Sequence, residues 1–198
     1  MKISIISTSH RKQSQSKRIC EHLKINLLNL DIKLEIFSLY LDEFSFPLWS
    51  PEKKDGKGVW ENWDKVSTNL DESDGFIIVV PEYGGMATPA AKNLFLLCGN
   101  GELSHKPGLI VSISSGNGGA YPIAELRSFS YKNTHIMWIP ENIIIRNVEE
   151  FIPSAHGDKI PEWLDDRIDY VLKLFIAYCD NMKPLRFLIN RKDFGNGM

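Results

Sequence analysis

Three stretches of the 198-residue chain carry residue types suited to chemistry at a ligand. The first is Ser7-Thr8-Ser9-His10-Arg11-Lys12-Gln13-Ser14-Gln15-Ser16, with four serines, a threonine, an arginine, a lysine and no apolar residue. Hydroxyls and backbone N–H groups donate to an oxyanion, Arg11 adds charge, and a following helix N-terminus favours the anion. The same composition also suits serines that cap a helix and basic residues that face water, so both readings stay open here. The loop lacks the Gly-Lys-Ser/Thr signature of a nucleotide triphosphatase and the cysteine of a thiol phosphatase. The second stretch is Ile77-Ile78-Val79-Val80-Pro81-Glu82-Tyr83-Gly84-Gly85-Met86-Ala87-Thr88-Pro89-Ala90-Ala91-Lys92-Asn93. A β-branched run reads as a doubly buried strand, and Pro81 ends its ladder. Gly84 and Gly85 permit a tight turn or close backbone approach to a flat ligand. Thr88-Pro89 suits an N-cap with proline at the first helical position. The third stretch, Ser114-Ser115-Gly116-Asn117-Gly118-Gly119-Ala120-Tyr121, follows the apolar run Gly108–Ile113. Its three glycines again suggest a backbone that approaches something flat.

The elements that must position these loops follow from periodicity. Ile3–Ile6 is a first strand, and Ile19, Leu23, Leu27 and Leu30 form one face of the next helix. Leu34–Leu39 is a second strand. Asp42–Lys57 is a long aromatic segment containing Phe44, Phe46, Leu48 and Trp49, the kind of loop that is functional, forms an interface or covers one end of a sheet. Val59–Asp74 is a helix in which Trp60 and Trp63 read as packing residues. Phe76–Val80, Gly108–Ile113 and His135–Ile139 are the remaining strands. The helix from Pro89 ends at Gly99-Asn100-Gly101 and is apolar enough to be buried or to meet another subunit. Another helix spans Ala120–Lys132. Glu141–Pro161 reads as irregular, and Pro161–Met182 as a long amphipathic helix with acids in its first turn. Five strand–helix repeats imply an α/β fold: a flavodoxin-like, doubly wound, five-stranded parallel sheet, order 2-1-3-4-5, with helices on both faces. Residues 1–182 form a single domain and 183–198 a C-terminal tail.

Composition excludes several functions. The net charge of −2 provides no field for nucleic acid or an anionic membrane. No apolar run approaches the ~20 residues needed to span a bilayer. Cys20, Cys98 and Cys179 are odd in number and far apart, which fits neither a disulfide framework nor a metal site. A cytoplasmic protein is the expectation.

The three loops together resemble the NADPH-dependent FMN reductase family, which includes flavin, quinone, azo-dye and chromate reductases. The family's Gly-Ser-x-Arg-x-x-Ser-x-Ser/Asn stands here as Thr8–Ser16. Its Pro-Glu-Tyr-Asn-x-x-x-Pro-x-x-x-Lys-Asn stands as Pro81–Asn93, and a Ser-x-Gly-x-x-Gly-Gly-type loop stands near Ser114–Gly119. The resemblance covers roughly residues 1 to 180. It implies FMN as cofactor and NADPH or NADH as reductant. It places Ser9, Arg11, Ser14, Gln15 and Ser16 on the FMN phosphate. Pro81, Glu82, Tyr83, Gly84 and Gly85 would lie along the isoalloxazine ring, and Ser115, Gly116, Asn117 and Gly118 at its other edge. It implies a small-molecule electron acceptor (flavin, quinone, azo compound or metal oxyanion) and a homodimer or homotetramer. The redox chemistry belongs to the flavin, so no catalytic acid or base and no metal ligand is nominated. Thr8 stands where the family has glycine and Gly84 where it has asparagine, and Pro89 stands one residue further along. Two other expectations compete: a flavodoxin-like electron carrier, against which the weak net charge argues, and a flavin-free interaction module, which only Thr8 and Gly84 favour.

Overall fold

A computed structural model describes residues 1–44, 46–51, 59–150, 160–190, 193 and 197. The elements in order are β1 (Lys2–Ser7), α1 (Gln15–Leu30), β2 (Glu35–Tyr40), α2 (Val59–Glu72), β3 (Gly75–Pro81) and α3 (Pro89–Leu97). They continue with β4 (Pro107–Ile113), α4 (Tyr121–Phe129), α5 (Tyr131–Thr134), β5 (Met137–Ile145), α6 (Glu162–Met182) and α7 (Leu185–Leu188). All five strands are parallel, in the order β2-β1-β3-β4-β5. This is the order expected from the sequence, with its switch point between β1 and β3.

Alternation along the strands divides the core in two. Ile3, Ile5, Ile77, Val79, Leu109 and Val111 pack under Ile19 and Leu23 of α1 and under Ile168, Leu172 and Phe175 of α6. Ile6, Leu39, Phe76, Ile78, Val80 and Ile110 pack under Trp63, Val66 and Leu70 of α2, Leu94 and Phe95 of α3, and Leu126 of α4. Every residue of β3 and β4 is buried, and each large side chain sealed in this way contributes roughly 1.5–3 kcal/mol. Gly75 lets α6 sit directly on β3, because a Cβ there would stand 2.3 Å from Cys179 Sγ. Lys106 is buried, and its ammonium donates to the carbonyls of Leu70, Asp71 and Glu102 at 2.6–3.0 Å. A cation thereby neutralises the carbonyl end of α2.

Two expectations need correction. β5 runs on to Ile145, so the irregular reading that began at Glu141 starts too early. β4 advances from Gly108 to Ile110 while β5 advances from Trp138 to Asn142. The bulge contains Pro140, which has no N–H for the ladder, and Arg127 donates to the carbonyl of Ile139 at 2.5 Å. The polar residues Glu141 and Asn142 hid a strand that resumes beyond the bulge. The helix read as Ala120–Lys132 is two helices that meet at Ser130. The packing of Trp60 and the part of the polar segment at 151–159 lie outside the described residues.

At the start of the tail, Arg186 and Lys183 donate to the carboxylate of buried Asp74 at 2.5 and 3.2 Å, and the Lys2 amide donates at 3.0 Å. Burial alone would raise the Asp74 pKa, but these three donors hold it below its ordinary value.

Candidate functional site

The carboxyl ends of β1, β3 and β4 deliver the three loops to one edge of the sheet. Ser14 is the N-cap of α1, its hydroxyl accepting the Lys17 N–H at 3.4 Å. The serine-as-cap reading therefore holds for this residue. Ser16, in the first turn, is different. Its hydroxyl is buried, has no hydrogen-bond partner, and sits where the helix concentrates free N–H groups. Ser7 Oγ, at the end of β1, is buried and unpartnered as well. Unsatisfied buried hydroxyls are costly, and one in the first turn of a helix suits an oxyanion ligand. Arg11 is exposed and Gln15 half-buried.

Ser9 is buried, and its hydroxyl does two things: it accepts the Arg11 N–H at 3.1 Å and shares a 2.9 Å hydrogen bond with the Tyr83 hydroxyl. Tyr83 thus reaches back across the first loop. The His10 ring stands edge-on to it at 5.6 Å, and the Arg11 guanidinium lies 6.0 Å from its centroid. Thr8, which stands where the family has glycine, stitches the loops together. Its N–H and hydroxyl both donate to the Val79 carbonyl, at 3.0 and 3.1 Å, and its carbonyl accepts the Thr88 hydroxyl at 2.7 Å.

After Pro81, the chain makes a two-residue hairpin. Tyr83 N–H donates to Met86 C=O at 2.9 Å and Met86 N–H to Tyr83 C=O at 3.1 Å. The central residues Gly84 and Gly85 have φ of +58° and +77°, as a type I′ turn requires. Asparagine and glycine both tolerate that conformation, so Gly84 preserves the turn of an Asn-Gly sequence. The turn is exposed, and nothing lies within 4 Å of a Cβ built on Gly85. Thr88 caps α3, accepting the Ala91 N–H at 3.1 Å, with Pro89 at the first helical position, as the sequence predicts.

Glu82 takes a part that its motif position did not reveal. Its carboxylate accepts the Gly119 N–H at 2.7 Å and clamps the β3 loop to the β4 loop. A Cβ on Gly118 would lie 2.4 Å from Glu82 Oε1, so glycine there makes room for the clamp. Arg146 Nε donates to the carbonyls of Asn117 and Gly118 at 2.8 and 3.1 Å, and the Asn147 N–H to that of Gly116 at 3.0 Å. Ser115 is exposed at the loop tip. Glu125 braces the other side, accepting the Ala87 N–H at 2.6 Å and pairing with Lys92 at 2.5 Å. Burial acts to raise its pKa, but Lys92 and the Ala87 amide hold it below the ordinary value. Arg146, Asn147 and Glu125 escaped sequence reasoning, because each acts on a loop about 28 to 38 residues away.

The three cysteines are buried and free, and burial pushes their thiols up, so none is a reactive thiolate. Among the described residues there is no cluster that could hold a metal and no helix long and apolar enough to cross a membrane. Two cavities of about 680 Å³ lie at the opposite, amino-terminal edge of the sheet, one beside Glu102 and one beside Asp74.

The family model of the NADPH-dependent FMN reductases matches residues 1–150. The chain belongs to that family. It is therefore an NAD(P)H-dependent, flavin-using oxidoreductase with FMN as its cofactor. Solved structures share its fold at low identity. The FerB flavoenzyme NAD(P)H:(acceptor) oxidoreductase from Paracoccus denitrificans is 18% identical, with a TM-score of 0.70, over 91% of this chain and 98% of that one. An oxidoreductase from Corynebacterium diphtheriae is 14% identical, with a TM-score of 0.68, over 91% and 97%. The apo form of the NADH:FMN oxidoreductase EMOB is 12% identical, with a TM-score of 0.66, over 88% and 87%. No curated protein sequence matches the chain. The donor set fits the cofactor: hydroxyls and a helix terminus suit a phosphate, and an exposed glycine turn with a glycine loop suits a flat ring.

Proposed function

We propose that this reductase holds FMN across its three loops and passes electrons from NADPH or NADH to a small acceptor: a flavin, a quinone, an azo compound or a metal oxyanion. Ser16 carries the reading most directly. Its hydroxyl is buried, unpartnered and in the first turn of α1, and a phosphate would satisfy it together with the helix N-terminus. Ser14 and Gln15 border that position, Arg11 supplies charge, and Ser9 anchors the loop to Tyr83. Along the ring, Gly84 and Gly85 offer backbone in place of side chains, with Glu82 and Tyr83 fixing the turn and Pro81 ending the strand beneath it. Ser115, Gly116, Asn117 and Gly118 close the other edge, held by Arg146.

When bound, FMN supplies the hydride and electron chemistry. The chain's own share is binding, orientation and exclusion of water, and no side chain is assigned as an acid or base. Residues 1–182 serve as one FMN-binding domain, with 183–198 as a tail. A homodimer or homotetramer is supported by the apolar side chains left exposed on and near α3 and α4: Met86, Leu96, Tyr121 and Phe129. Purified protein titrated with FMN and then with NADPH under anaerobic conditions tests the reading. A bound-flavin spectrum that bleaches supports it. Flavin that stays oxidised with either nicotinamide indicates an electron carrier, and no flavin binding refutes the site.

A further inference from the structure

We propose that Tyr83 couples the two halves of the flavin site, so that a phosphate bound at the first loop tightens the binding of the ring at the Gly84–Gly85 turn. Its phenol carries the coupling through Ser9, which makes Tyr83 a positioning residue. This rests on the reductase reading above.

The first observation is that one residue belongs to both loops. The backbone of Tyr83 frames the glycine turn, its N–H and C=O closing the hairpin with Met86 at 2.9 and 3.1 Å. Its side chain leaves that turn and seats the first loop. The phenol oxygen lies 2.9 Å from Ser9 Oγ, the His10 ring stands edge-on at 5.6 Å, and the Arg11 guanidinium lies 6.0 Å from the ring centroid. Three consecutive residues of the first loop therefore meet one side chain. Ser9 is fully enclosed, and its hydroxyl also accepts the Arg11 N–H at 3.1 Å. That bond bends residues 9–11 into a local turn. An enclosed hydroxyl with both of these partners joins loops, and the exposed residues His10, Arg11 and Lys12 leave the surface to the anion.

The second observation is that both loops have a conformation that something must hold. Exposed Gln13, between the Ser9–Arg11 turn and the N-cap of α1, has φ of +56°, which is unfavourable for a residue with a Cβ. The turn on the other side is two exposed glycines, which have the widest choice of backbone conformation. The Ser9–Tyr83 bond forms only when both loops are in place. A ligand that orders one loop therefore raises the population of the other in its binding arrangement, by at most the worth of that bond. For one hydrogen bond between hydroxyls this is about two- to twelvefold in an equilibrium constant.

The test separates the two halves of the ligand. Flavin-free protein is titrated with lumiflavin, the ring system without ribityl phosphate, in saturating inorganic phosphate and in sodium chloride of equal ionic strength. Fluorescence quenching gives the affinity. Wild type should bind lumiflavin about two- to twelvefold more tightly in phosphate. Tyr83→Phe keeps the aromatic ring and loses only the hydroxyl, and its phosphate factor should fall to one. Ser9→Ala removes the other partner and should do the same, with thermal melts confirming that both variants fold. FMN supplies an independent cycle: Tyr83→Phe should weaken FMN by up to the same factor in wild type and not at all in the Ser9→Ala background. A phosphate factor of one in wild type, or the same factor in Tyr83→Phe as in wild type, would overturn the proposal. So would weaker lumiflavin binding in phosphate, or an equal loss of FMN affinity from Tyr83→Phe in both backgrounds, the result expected of a merely structural phenol. Wild type that binds FMN without these couplings loses the proposal alone. Wild type that binds no FMN loses the reductase reading and the coupling with it.

Discussion

Replacing Glu82 with alanine removes the bond that joins the β3 loop to the β4 loop. The carboxylate accepts the Gly119 N–H at 2.7 Å, and hydrogen bonds to charged groups contribute about 1.5–3 kcal/mol. Glu82 is half-buried, so a value of about 2 kcal/mol is appropriate. If the whole of it serves to hold the loops in the binding arrangement, its loss weakens FMN about thirtyfold. If part of it appears as global stability, the loss in affinity is smaller, down to about fivefold. Flavin fluorescence quenching on titration with protein reads this directly, and thermal unfolding reads the remainder. A second substitution sharpens the test. A Cβ on Gly118 would stand 2.4 Å from Glu82 Oε1 and 3.2 Å from Ser114 Oγ. Gly118→Ala must therefore push the carboxylate off Gly119 in wild type, whereas in the Glu82→Ala background it meets no carboxylate. The two changes should couple by roughly 1–2 kcal/mol in a double-mutant cycle. FMN affinity of Glu82→Ala within twofold of wild type, or equal effects of Gly118→Ala in both backgrounds, would refute the clamp.

Gly84→Asn should retain FMN affinity and melting temperature, because asparagine tolerates φ of +58°, whereas Gly84→Ala should cost roughly 1 kcal/mol; paired melts and titrations distinguish them. Thr88→Val loses both the α3 cap and the donor to Thr8 C=O, and should cost about 2 kcal/mol, read as a fall in Tm of roughly 4–8 °C. Asp74 has a folded pKa held below its ordinary 3.8. The folded state therefore binds its proton less readily, and the stabilisation is complete above pH ~4 and lost as pH falls through the folded value. Asp74→Asn should be markedly less stable than wild type at pH 7, with the gap closing below pH ~4 in acid-denaturation profiles.

Much of this protein was fixed locally and was legible along the chain. The apolar runs Ile77–Val80 and Leu109–Val111 are buried on both faces, and strands of that kind read the same in any window. Thr88-Pro89 starts α3, and the two glycines at 84 and 85 turn the chain as their conformational freedom allows. The three-loop motif pattern pointed to the family, and with it to FMN as the cofactor. What only the tertiary structure decided is how the loops hold one another. Glu82 reads as part of a motif, but its partner is Gly119. Asn93 ends the same motif, but its partners are Pro47 and Trp49. Glu125 and Arg146 brace loops from elements that no local pattern links to them. The end of β5 escaped for a related reason: Pro140 interrupts the ladder, and the strand resumes only because β4 lies beside it to accept the pairing. Propensity and periodicity act over a few residues, so they specify strands, caps and turns. Hydrogen bonds between loops depend on which strand ends the fold brings together, and that depends on the packing of the whole sheet.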